Sequence, residues 1–260
     1  MMSAFEMVSL AAAAAAAGAI NAVAGGGTLI TFPALLAFGT PSIVANATST
    51  LALVIGTAGS VYGYREPIRA VKPWLKRFVP VSLLGGLLGA LLLTSTKEQT
   101  FARMVPFLLL FATILFLCQG AFRRFIRFAD VSGATVPPPT RAIAIAVLFQ
   151  FFVALYGGYF GAGIGILMLA TLGFLGLTDI HQMNGLKTTL GSLINLVAAA
   201  WFVVAGLVDW PRAGVMTVGA LGGYFLGAHY SQRIPQQRVR QLITVIGFAI
   251  SAATFYHQFR

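Results

Sequence analysis

Long apolar stretches dominate the chain, interrupted by short polar loops. Several approach 20 residues, the length a helix needs to cross about 30 Å of hydrocarbon. The opening "FEMVSLAAAAAAAGAINAVA" is one of them. It is Ala-rich with A-x-A sites, so a signal-peptide reading competes. It lacks a basic leading region and carries Glu6, and it is therefore kept as a first spanning helix. Two apolar segments are too brief to cross as ideal helices without help: Thr28–Phe38 and Ile166–Leu175. Each follows a glycine-rich stretch, "AGGG" at Ala24–Gly27 and "GAGIG" at Gly161–Gly165.

These breaks belong to an internal repeat. Asn46 recurs as Asn184, and the same spacing pairs Thr50 with Thr188, Gly85 with Gly223 and Gly89 with Gly227. Each half reads as a long helix, a glycine break, a short apolar segment and three more helices. The Pro-rich "SGATVPPPT" (Ser132–Thr140) lies between the halves. The expected organisation is a first transmembrane repeat over 1–121, a cytoplasmic linker over 122–140 and a second repeat over 141–260. The expected fold is all-α, a polytopic transmembrane helical bundle.

Composition agrees. Hydrophobic residues make up 58% and charged residues 9%, against about 25% charged in soluble domains, and mean hydropathy is +0.87. The net charge of +11 sits mostly in short loops, where it sets membrane orientation rather than nucleic-acid binding. Tyr64–Arg77, Phe122–Arg141 and Ser231–Arg240 are strongly basic and should face the cytoplasm. Lys97–Arg103 and Asp209–Arg212 are nearly balanced. Repeat-mate loops thus carry opposite bias. That predicts two inverted repeats of about five segments each, with both termini outside. Re-entrant short segments would instead make the halves parallel, and their mates should then share a bias.

Non-helical backbone at membrane depth is tolerated only inside protein or beside a water-filled cavity. Paired glycine-interrupted segments point to a transporter binding site, and free N–H groups there suit an anion. Tight helix packing is the competing reading. It is preferred for "LGGLLGA" (Leu84–Ala90) and "LGGYFLGA" (Leu221–Ala228), while Gly25, Gly26, Gly27, Gly161 and Gly163 are read as site-forming. Two polar stripes follow the breaks at helical spacing: Asn46, Ser49, Thr50, Thr57 and Ser60, then Asn184, Lys187, Thr188, Ser192 and Asn195. They should face the bundle interior, with Asn46 and Asn184 donating amide N–H bonds to an anion. Thr57 and Ser60 are equally explained by bonds to a preceding carbonyl.

Lys187 stands out, because a Lys near the bilayer centre costs about 2.5–3.5 kcal/mol. It either contacts an anion or snorkels to the surface. Thr40 and Pro41 should start one helix, and Thr178 with Asp179 its mate. His181 and His229 read as headgroup-level and helix-end residues. Cys118 is the lone cysteine, so no disulfide or Cys metal site arises. Six acids without clustering argue against a metal-dependent enzyme, and no cofactor is called for.

The stretch "AGGGTLITFPALLAFGTPSIVANATSTLALVIGTAGSVYGY" (Ala24–Tyr64) resembles the first repeat of the TauE/SafE family of sulfite/sulfonate permeases. Gly157–Asp209 and the following "GALGGYFLGAHYSQRIPQQRVRQLI" resemble its second. The resemblance implies a multi-pass transporter of small organic or sulfur-containing anions in the bacterial inner (plasma) membrane. The partners it implies are the lipid bilayer and an anionic substrate, with no nucleic acid. A coupling ion (proton or sodium) and a homodimer stay open, and so do a passive channel and a structural scaffold. The second half departs from the first by carrying Asn-Gly-Leu-Lys (Asn184–Lys187) where the first has Asn-Ala-Thr-Ser.

Overall fold

The computed structural model describes residues 2–23, 26–63, 71–131, 139–175, 177, 179–230 and 236–259. Those residues form ten α-helices and no strand: α1 (Ala4–Val23), α2 (Thr28–Ala37), α3 (Ser42–Gly63), α4 (Lys72–Ser95), α5 (Glu98–Val131), α6 (Thr140–Tyr159), α7 (Ile164–Phe174), α8 (Ile180–Val204), α9 (Trp210–Tyr230) and α10 (Gln236–Phe259). Five of them, α1, α4, α5, α6 and α8, are long and apolar enough to cross a membrane. The two short segments are helices of 10 and 11 residues, about 15 Å each.

Small residues decide how the long helices meet. Gly219, Gly223 and Gly227 of α9 lie directly against the backbone of Ala11, Ala15 and Ala19 of α1. The mirror contact joins α4 to α6, with Gly85 on Phe151 and Ala154, and Gly89 on Leu155 and Tyr159. Both glycine motifs read as packing motifs are therefore helix contacts. Lipid supplies no hydrophobic drive between helices, so close backbone approach and van der Waals contact must hold them. Large apolar side chains point outward instead, Leu84, Leu88 and Leu92 on α4 and Phe107, Phe111 and Ile114 on α5 among them.

These registers also fix helix direction. Contacts that advance together make α1 parallel to α9 and α4 parallel to α6. Thr48 Oγ1 accepts the Asp209 N–H at 3.0 Å and Gly56 meets Tyr224, so α3 is parallel to α9 and hence to α1. Between them α2 runs back: it begins beside Ala17 and Asn21, and Phe38 at its end accepts a hydrogen bond from Arg212, which also pairs with Glu6. In the second half, Gly165 meets Lys187 and Gly191 meets Ile164, so α7 and α8 are antiparallel. Thr113 against Gly247 and Phe107 against Phe255 make α5 and α10 antiparallel. One end of the bundle, the near face, thus holds the starts of α1, α3, α5 and α9 and the end of α10. The far face holds the end of α5 and the start of α6.

One helix start differs from expectation. Thr40 does not cap α3; its hydroxyl is buried without a partner. The Glu98 carboxylate of α5 accepts the N–H groups of Ser42 and Ile43 instead. A charged acceptor from a neighbouring helix outcompetes the local hydroxyl for donors that carry the positive end of the helix dipole. Asp179 does cap α8, accepting the Gln182 N–H at 3.2 Å.

Candidate functional site

The two glycine breaks rest on one stretch of α5. A side chain at Gly26 would be driven into the Phe116 ring. At Gly163 the neighbours would be Leu115 at 3.2 Å and Ala112 at 3.7 Å. Ala112 and Phe116 are one turn apart, so the breaks sit at one level of the bundle. Gly26, Gly161 and Gly163 have φ of +94°, +83° and +83°, a region costly for any residue with a Cβ. Gly25 lies outside the described residues, as do Thr178 and the side chains of Ser60, His181 and His229.

A hydrogen-bond chain organises the first break. Asn21, in the last turn of α1, accepts the Gly27 N–H at 2.7 Å and donates to the Tyr224 hydroxyl of α9 at 2.9 Å. The Gly27 carbonyl accepts from Thr31, whose hydroxyl shares a 2.6 Å bond with Ser49 of α3. Ser49 and Thr31 are both fully buried. Ser49 is thus tied to the break. Asn21 was legible as a polar residue closing an apolar helix just before glycines. Tyr224 carried no such signal, because it stands in a small-residue packing motif.

Asn46 is 1% exposed. Its Nδ2 donates at 3.1 Å to the carbonyl of Tyr159, the last residue of α6. It therefore reaches from the first half to the helix that enters the second break. That donor is engaged within the protein, while its Oδ1 is buried without a partner. One of its two N–H groups is thus spent inside the protein, and the expectation that Asn46 donates to an anion rests on the other. Thr50 donates to the Asn46 carbonyl at 2.8 Å and Thr57 to that of Val54, so both spend their hydroxyl protons on the backbone.

On α8, Asn184, Lys187 and Thr188 are half-buried on successive turns. The Lys187 stem packs on Gly165, two residues past Gly163. The second stripe is thus more open than the first, whose Asn46 and Ser49 are buried. Towards the near face an aromatic group fills the space. Phe32 meets Phe160 edge-on at 5.4 Å, and Phe101 meets both Phe32 at 6.5 Å and Tyr159 at 5.6 Å. At that face Arg212 is held between Glu6 at 2.7 Å and Asp209 at 2.6 Å. A cavity of about 670 Å³ opens beside them, lined by none of the expected site residues. Among the described residues no three of His, Cys, Asp and Glu gather as a metal-binding group.

A family profile described as "Sulfite exporter TauE/SafE" matches residues 10–254. The chain belongs to the TauE/SafE family. Similar family-sized proteins include a "Probable membrane transporter protein" of Haemophilus influenzae, 31% identical over 92% of this chain and 90% of its own length. "Probable membrane transporter protein ORF9" of a Sinorhizobium species is 28% identical over 92% and 88%. "Probable membrane transporter protein YfcA" of Escherichia coli is 24% identical over 92% and 86%. No solved structure matches. This TauE/SafE chain is thus a multi-pass membrane protein of a transporter family.

Proposed function

We propose that the chain is an inner-membrane carrier of small sulfite- or sulfonate-type anions, and that its two halves are inverted repeats with both termini outside the cytoplasm. The observation that carries the reading is the meeting of both glycine breaks on one turn of α5, with polar residues of α3 and α8 beside them. Half-helix starts, with the positive end of the helix dipole, suit an anionic head, and Lys187 lends positive potential. The alternation of helix direction and the arginine-rich last turns of α5, which end on the far face, support the orientation. The packed group of Phe32, Phe101, Tyr159 and Phe160 blocks the route to the near face. That favours a carrier that opens one side at a time over a continuous pore.

The test is uptake of radiolabelled sulfite, taurine and a carboxylate control into proteoliposomes, with substrate affinity measured on wild type, Lys187→Met and Lys187→Arg. Saturable, accumulating uptake of the sulfur anions is expected. Anion affinity should fall about tenfold or more in Lys187→Met, since removing one charge partner from a buried pair costs more than 1.4 kcal/mol. Lys187→Arg should keep part of it. Normal affinity in folded Lys187→Met would remove Lys187 from the site. Non-saturable flux would replace the carrier with a channel.

A further inference from the structure

We propose that a sodium ion binds at the C-terminal end of α6, held by Asn46 Oδ1 together with the oxygens around Gly161. The idea rests on the carrier reading above and names its coupling ion. The Asn46 amide cannot be turned round: its Nδ2 donates to the Tyr159 carbonyl, and a flip would set two oxygens against each other. A buried acceptor at 1% exposure therefore stands without a donor.

Other oxygens gather at the same helix end. α6 ends beside it, so the negative end of that helix dipole points there. The Gly157 carbonyl and Asn195 Oδ1 border the place of the missing Gly161 side chain, which would begin 3.0 Å from one and 3.7 Å from the other. The Gly161 N–H itself turns back to the Tyr156 carbonyl, and φ of +83° keeps the turn open. On the same side of α8, one turn before Asn195, the Ser192 hydroxyl is also buried without a partner. Amide, hydroxyl and carbonyl oxygens at the end of a half-helix suit a hard cation such as sodium and repel an anion. A cation here also lowers the cost of an anion beside the breaks.

The test uses the full chain in lipid nanodiscs. Thermal unfolding is followed in sodium, potassium and choline chloride at equal ionic strength, alongside binding of radioactive sodium by scintillation proximity. A saturable rise in unfolding temperature specific to sodium is expected. Sodium affinity should fall about tenfold or more in Asn46→Leu and Asn195→Leu, the scale of losing a supporting oxygen, and Asn46→Asp should bind sodium more tightly. Absence of sodium binding to wild type overturns the proposal. So does unchanged sodium affinity in both Leu variants or, should they fail to fold, in Asn46→Asp. Stabilisation by an amine-bearing sulfonate but not by sodium would assign the oxygen to the substrate instead and equally overturn it. Anion affinity in sodium chloride is measured in parallel, and its absence there sinks the carrier reading without touching the cation site.

Discussion

Replacing Gly26 by alanine isolates what the first break demands of the chain. Two costs act at this position. Its φ of +94° is a conformation that strains a residue with a Cβ by about 1–3 kcal/mol. The new methyl also meets the Phe116 ring, a side chain only 1% exposed and so unable to swing away; such overpacking costs about 1–3 kcal/mol. Together they predict a loss of about 2–6 kcal/mol. Gly39 separates the terms. Its φ is +75°, yet nothing lies within 4 Å of the added methyl, so Gly39→Ala should lose only the backbone part, about 1–3 kcal/mol. Shortening the ring in Phe116→Leu should restore about 1–2 kcal/mol of the Gly26→Ala loss as a coupling term and none of the Gly39→Ala loss. The assay is equilibrium unfolding in mixed lipid–SDS micelles, with transport measured on each variant. Gly26→Ala within about 0.5 kcal/mol of wild type, or a zero coupling with Phe116, would refute the reasoning. The break would then be ordinary packing.

Two further outcomes are expected. Cysteines placed at Ser132 and at Arg260 in a Cys118→Ala background should label from opposite sides of sealed vesicles, with Ser132 cytoplasmic; labelling from one side would end the inverted arrangement. Glu98→Ala should destabilise the protein by about 1 kcal/mol by uncapping α3, whereas Thr40→Val should be neutral or mildly stabilising in the same unfolding assay, since the Thr40 hydroxyl is buried and bonds to nothing.

Much of this molecule is set by local sequence. Apolar runs against the bilayer's thickness dictate helices, because lipid offers backbone groups no other partner. Glycine clusters and the proline-rich joint mark where those helices must break. The recurrence of Asn46 as Asn184 is legible in the sequence, and so are the motifs at Leu84–Ala90 and Leu221–Ala228 as the packing surfaces they form. The choice of partner was not. That α9 lies on α1, and α4 on α6, depends on side-by-side fit over several turns, which no single stretch encodes. For the same reason the α3 start fell to Glu98, 55 residues from Ile43, rather than to Thr40 next door. The chemistry of the asparagines was likewise decided only in three dimensions. An amide carries both donor and acceptor, and the sequence names the residue without saying which end is spent. The Tyr159 carbonyl takes one N–H of Asn46, and that one long-range bond leaves the amide oxygen buried without a partner.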